Sequence, residues 1–136
     1  NLLWNDIKYN DSMKKVIATV DAPKAVGPYS QAIEVNGTLY ISGQIPVNPA
    51  DGQIQDEITA AAHQSLKNIG AILKEAGMTY DNVVKTTVLL ADIADFKAVN
   101  EVYAEYFTGD KPARACYQAA ALPLGVKVEI EAIAVR

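Results

Sequence analysis

Arginine is scarce in this chain: of the two in 136 residues, Arg136 is the last residue and only Arg114 is internal. Arg114 follows Pro112 and sits between Ala113 and Ala115, in a stretch that reads as extended. A planar guanidinium with small neighbours is shaped to hold a carboxylate through paired hydrogen bonds, each worth roughly 1.5 to 3 kcal/mol when charge-assisted. The same spacing equally fits a structural ion pair. Glu129 and Glu131, two apart and so on one face of a strand, can orient a water, serve as that structural partner, or form a solvated face. Tyr29 follows the Gly27-Pro28 break and Ser42 closes a strand, so either hydroxyl can dock a polar ligand or bond the local backbone.

Other chemistries lack their parts. The one histidine, His63, falls within a helical segment, where it reads as a solvated side chain beside the apolar stripe. The one cysteine, Cys116, has no second histidine to form a thiolate pair and reads as a small buried residue. One cysteine and one histidine also leave too few soft ligands for a zinc cage or a disulfide framework. The eight glycines form neither G-x-G-x-x-G nor a P-loop, so nucleotide cofactors have no support. Twelve basic against sixteen acidic residues, a formal net charge of −4, argue against a broad grip on nucleic acid or an anionic membrane. No apolar run is long enough to span a bilayer and no secretory signal pattern occurs, so a cytoplasmic protein is expected.

The elements that must position these residues follow from periodicity. Half of the residues are hydrophobic and 21% are charged, as in a globular domain. Residues 1–12 show neither period and read as an extension, leaving 13–136 as one domain. Ile33 and Val35, then Asn36-Gly37, then Leu39 and Ile41 predict a β-hairpin with a type I′ turn. Pro46, Pro49 and Asp51-Gly52 mark a loop. Ile58, Ala62, Leu66, Ile69, Leu73 and Ala76 define a helical stripe, with Asp56 as its expected cap and Gly77 as its stop. Val83 to Ala91 reads as a strand with Val84, Val88 and Leu90 on one side and Leu89 and Ala91 on the other. A second helix is expected from Ile93 to Phe107, capped by Asp92, with Phe96, Val99 and Tyr103 on one side. An extended stretch, Ala113 to Ala119, and a last strand from Val126 to Val135 follow. This order gives an α+β fold: a mixed sheet of about six strands with two helices on one face. The uncovered face then calls for a homo-oligomer.

Four ordered segments carry a family resemblance: Gly27-Pro28-Tyr29-Ser30-Gln31, Leu39-Tyr40-Ile41-Ser42-Gly43-Gln44-Ile45-Pro46, Pro112-Ala113-Arg114-Ala115-Cys116, and Val128-Glu129-Ile130-Glu131-Ala132-Ile133-Ala134-Val135. The chain resembles the Rid, or YjgF-type, family over about Met13 to Arg136, and within it the deaminase A branch. The resemblance implies a homotrimer of chorismate-mutase-like subunits with three clefts at the subunit interfaces. It also implies hydrolysis of 2-imino acids or their enamine tautomers, such as 2-iminobutanoate and 2-iminopropanoate, to 2-keto acids and ammonia. Removing these intermediates protects pyridoxal-phosphate enzymes. Imines hydrolyse in water unaided, so orientation, proton handling and a held water suffice, without metal, cofactor or covalent nucleophile. By resemblance Arg114 clamps the substrate carboxylate and Tyr29, Ser42, Cys116 and Glu129 line the cleft. Glu129 is then expected to position the water, Tyr29 to contact the imine end, and the Cys116 backbone to hold the ligand. Three rivals stand beside this reading: a trimer that senses a small carboxylate without turnover, a stress-activated holdase, and a ribonuclease, the last ill-suited to an acidic chain with no basic aromatic groove.

Overall fold

The computed structural model describes residues 13–136, so the expected extension over residues 1–12 lies outside the described residues. Asn36 and Gly37 take φ values of 51° and 79°, the left-handed pair that a type I′ turn requires, and they join β2 (Ala32–Val35) to β3 (Thr38–Gln44). A short strand β1 (Lys15–Ile17) pairs with β2. Three longer strands, β4 (Val83–Leu90), β5 (Ala113–Gln118) and β6 (Val128–Val135), complete one sheet in the order β1-β2-β3-β6-β4-β5. Every neighbouring pair is antiparallel except β4 and β5, which are parallel and are joined by the crossover helix that such a pair needs.

Two helices, α1 (Ile58–Glu75) and α2 (Phe96–Tyr106), pack on each other, and α1 also packs on β3 and β6. The expected stripe of α1 is buried at Ala62, Leu66, Ile69, Leu73 and Ala76, and Gly77 stops the helix at φ 74°. Facing it from the sheet are Leu39, Val88, Leu90, Val128 and Ile130, all fully buried. Each side chain of this size contributes about 1.5–3 kcal/mol on leaving water. Among the described residues, the other sheet face carries no helix.

Local details differ from the sequence reading in four places. Glu57, not Asp56, caps α1: its longer carboxylate accepts from the Ala60 amide at 2.8 Å. Asp92 caps a 3₁₀ turn at Ile93–Asp95 rather than the α-helix, which starts only at Phe96. The β4–β6 register slips between Val83 and Lys85, so the bulge turns Val84 outward and buries Val83 in its place. His63 is not merely solvated. Its Nδ1 lies 2.7 Å from the Tyr106 hydroxyl and its Nε2 lies 3.7 Å from Glu105, which ties α1 to α2.

The terminal arginine is structural. Arg136 Nε and an Arg136 terminal nitrogen each donate at 2.9 Å to the carboxylate of buried Glu34, and the guanidinium also donates to the Ala76 carbonyl. This fork holds the Glu34 carboxyl below the usual carboxylate range.

Candidate active site

Strand β5 places Arg114 opposite Thr86 of β4, and Thr86 faces the helices, where its hydroxyl lies 2.7 Å from that of Tyr103. Arg114 points the same way. One of its terminal nitrogens donates at 2.8 Å to Asn100 Oδ1, and the guanidinium carbon lies 4.8 Å from the Tyr103 ring centroid and 5.5 Å from that of Phe96. Among the described residues no carboxylate lies within ion-pair distance of this guanidinium, whose side chain is half-buried. Its one protein partner there is a neutral amide oxygen. Cys116, opposite Val88, shares the face and packs partly into the core. Burial pushes its thiol above the usual range, and the nearby Arg114 offsets part of that rise.

Glu129 occupies the opposite face. The strand alternates Val128, Ile130, Ala132 and Ala134 into the core, which turns Glu129, Glu131 and Ile133 toward the helix-free side. The carboxylate of Glu129 lies over Gly43: a Cβ built there would stand 2.7 Å from its Oε2 and 2.8 Å from its Cδ. Gly43 sits where the β3–β6 ladder shifts register between Ile41 and Gln44. Burial, and secondarily the charge of Glu131, raises the Glu129 carboxyl above its ordinary value.

Tyr29 and Ser42 meet through the loop that precedes β2. The Ser42 hydroxyl donates to the Ser30 carbonyl at 2.6 Å, and the Ser42 amide donates to the Gln31 carbonyl at 2.9 Å. The hydroxyl is thus engaged in holding the strand end, the backbone role that the sequence left open for it. Tyr29 is 49% exposed on the rim between two shallow grooves. One of these, about 370 Å³, also reaches Gly43, Gln44, Asn48 and Leu124. Gln31 anchors the loop: its Oε1 accepts from the Thr19 amide at 2.7 Å while its Nε2 donates to the carbonyls of Thr19, Ala22 and Pro23 at 2.8–3.3 Å. Such a bonded amide is the way a side chain only 5% exposed stays satisfied.

The five expected site residues therefore fall into two groups. Arg114 and Cys116 share the helix side near the β5 edge, whereas Glu129 lies on the opposite face beside Gly43; Tyr29 stands on the groove rim, and Ser42 bonds the loop that carries it. Among the described residues, the two grooves that Tyr29 borders, of about 370 and 730 Å³, are lined by neither Arg114 nor Glu129. Three contributors had no role in the sequence reading: Asn100, Gln31 and Gly43. The signal for Asn100 was available, since it is the polar residue between Phe96 and Tyr103 on one helix face. No three histidine, cysteine or acidic side chains gather as a metal-ligand set among the described residues.

Comparison with known proteins adds to this geometry. Residues 19–136 match the family described as Endoribonuclease L-PSP. The chain is 58% identical over 125 residues to the 2-iminobutanoate/2-iminopropanoate deaminase of Mus musculus, covering 91% of this chain and 93% of that one. Its fold superposes with a TM-score of 0.89 on a Rid-family protein of Yersinia pestis, at 50% identity, covering 91% of this chain and all of the other. It is likewise similar to E. coli TdcF, solved with bound serine, at a TM-score of 0.87 and 44% identity, with 90% of this chain and 98% of that chain covered.

Proposed function

Because the chain belongs to the Endoribonuclease L-PSP family, the Rid or YjgF-type proteins, we propose that it hydrolyses reactive 2-imino acids and their enamine tautomers, 2-iminobutanoate and 2-iminopropanoate, to 2-keto acids and ammonia. Relatives at 48–58% identity bear the name of that activity. The observation that carries the reading on this chain is Arg114: a half-buried guanidinium, seated against two aromatic rings, whose protein partner is neutral. Its remaining N–H groups suit a small carboxylate, the one charge that every 2-imino acid carries.

Hydrolysis adds water across the C=N bond. Arg114 holds the carboxylate, which fixes the position of the adjacent imine carbon. Glu129 accepts a proton from the water as its oxygen attacks that carbon and passes it to the nitrogen, giving a carbinolamine; the carboxylate then carries the hydroxyl proton to the same nitrogen, which leaves as ammonia. The oxygen remains as the keto group. Tyr29 contacts the imine end, the Cys116 backbone supports the ligand, and Ser42 holds the wall beside them. Within one chain Arg114 and Glu129 stand on opposite sheet faces, so the cleft belongs between copies. A homotrimer in which the helix-free face of one subunit meets the β5 edge of the next joins the two groups and covers exposed Tyr40 and Tyr117. A cytoplasmic setting, beside the pyridoxal-phosphate enzymes that release such intermediates, fits this role.

The test couples the protein to threonine dehydratase, which generates 2-iminobutanoate, in the presence of semicarbazide as a trap. The wild type is expected to lower semicarbazone formation and Arg114→Ala to lose that effect while keeping its oligomeric state. Equal trapping with and without the wild-type protein overturns the substrate assignment. Near-normal activity in Arg114→Ala overturns the clamp.

A further inference from the structure

Helix α2 presents Phe96, Asn100 and Tyr103 to Arg114, a spacing of four and three that sets the three on one helix face. The two aromatic rings flank the guanidinium, and Tyr103 is itself fixed by its contact with buried Thr86 at 2.7 Å and by packing on Phe107 at a centroid distance of 4.5 Å. Rings restrict where a guanidinium lies but leave it free to turn about its own axis. The bond that fixes this turn is the one from Arg114 to Asn100 Oδ1.

We infer that Asn100 is a positioning residue for substrate binding, one that sets the orientation of the Arg114 fork without neutralising it. The inference rests on the carboxylate-clamp reading of Arg114. Its chemical content lies in the choice of an amide. A guanidinium has only donors, so Asn100 must offer its oxygen, and the amide oxygen takes up one N–H while the positive charge stays available. An aspartate would make the same hydrogen bond and also form an ion pair, competing with a substrate carboxylate for the same charge. An alanine would release the fork. Fixing the fork before the substrate arrives lowers the ordering cost of binding.

Two variants separate this role from plain support of the fold. Asn100→Asp is nearly isosteric and retains the hydrogen bond, whereas Asn100→Ala removes it; thermal melting confirms that both fold. Steady-state deaminase kinetics are measured together with calorimetric binding of 2-ketobutanoate, a small 2-keto acid carboxylate. Asn100→Asp is expected to raise KM and weaken 2-ketobutanoate binding about tenfold or more, with kcat changed much less. Asn100→Ala is expected to move the same quantities in the same direction by a smaller factor. Turnover of an imino ester, which lacks the carboxylate, is expected to be equal in wild type and Asn100→Asp, a result that general damage to the site would not give. Wild-type KM and keto-acid affinity in both variants overturn the inference, as does binding in Arg114→Ala equal to wild type. A wild type without deaminase turnover, but with keto-acid binding that depends on Arg114 and weakens in Asn100→Asp, overturns the proposed reaction and upholds the inference.

Discussion

Gly43 lies directly beneath the Glu129 carboxylate, so close that a Cβ on residue 43 would stand 2.7 Å from Glu129 Oε2. Gly43 is not among the positive-φ glycines, so its backbone does not call for glycine; the space does. Gly43→Ala must therefore push the end of the Glu129 side chain aside. Because that side chain is flexible and only partly buried, the expected outcome is a catalytic defect without a folding defect. Deaminase kcat/KM should fall about tenfold to a hundredfold, the effect of misplacing a reacting group by about 1 Å, while the denaturation midpoint stays near the wild-type value. Unchanged activity would show that Glu129 need not stay where it lies.

The raised carboxyl of Glu129 gives a pH dependence whose sign is fixed. In the proposed role Glu129 takes a proton from water and so works when ionised; activity is then lost as pH falls through its folded-state pKa, which burial raises. Glu131 contributes to the rise by like-charge repulsion, after burial. Glu131→Gln should move the acid limb of kcat/KM to lower pH, and Glu129→Gln should flatten activity to a low level across the same range. The stability linkage runs the other way. A carboxyl with a raised folded pKa favours the fold at low pH, and that contribution is lost as pH rises through the folded pKa. Parallel activity and denaturation profiles from pH 4 to 8 on wild type and Glu131→Gln measure both effects.

Gly70 has a different reason to be glycine. It lies inside α1, where alanine would ordinarily be favoured by about 1 kcal/mol. The Tyr80 hydroxyl crosses it to donate to the Leu66 carbonyl at 2.7 Å, and a Cβ on residue 70 would stand 2.7 Å from Tyr80 Cζ. Gly70→Ala is expected to destabilise by about 1–3 kcal/mol, the usual cost of overpacking. Tyr80→Phe removes the oxygen at the closest approach, so the double variant should lose less than the sum of the two singles. Denaturant titration at one protein concentration tests the cycle, and an additive result would place the strain elsewhere.

Much of the scaffold was legible in local sequence because its causes are local. Asn36-Gly37 takes the left-handed angles that its residue types favour, Gly77 ends α1, and the stripe from Ala62 to Ala76 is buried as its spacing implies. The departures have equally physical causes. Glu57 displaces Asp56 as cap because its carboxylate reaches Ala60 from one position further on, and a bulge, which no alternation rule anticipates, turns Val84 outward. The site was less legible because its supports are distant in sequence: Asn100 meets Arg114 across 14 positions and Gly43 meets Glu129 across two strands. Motif resemblance picked out the residues that carry polar groups. The amide bonded to the arginine and the glycine beneath the glutamate come beside them only once the chain is folded.

Gln31 is the third such support, and its substitution separates loop order from chemistry. Its amide bonds one backbone N–H and three carbonyls between Thr19 and Pro23, all from a buried position. Gln31→Leu fills a similar volume but leaves those backbone groups without their partner, at about 1–3 kcal/mol for a buried polar group left unpaired. The segment from Thr19 to Ser30 carries Tyr29 on the rim of the groove, so loss of the anchor should loosen the side chain proposed to contact the imine end. The expected result is a lower melting temperature together with faster amide hydrogen exchange at Thr19. A fall in kcat/KM larger than that of Tyr29→Phe should accompany them, because the whole rim moves rather than one hydroxyl. If exchange at Thr19 stays at the wild-type rate while activity falls, Gln31 acts on the ligand directly and not through the loop.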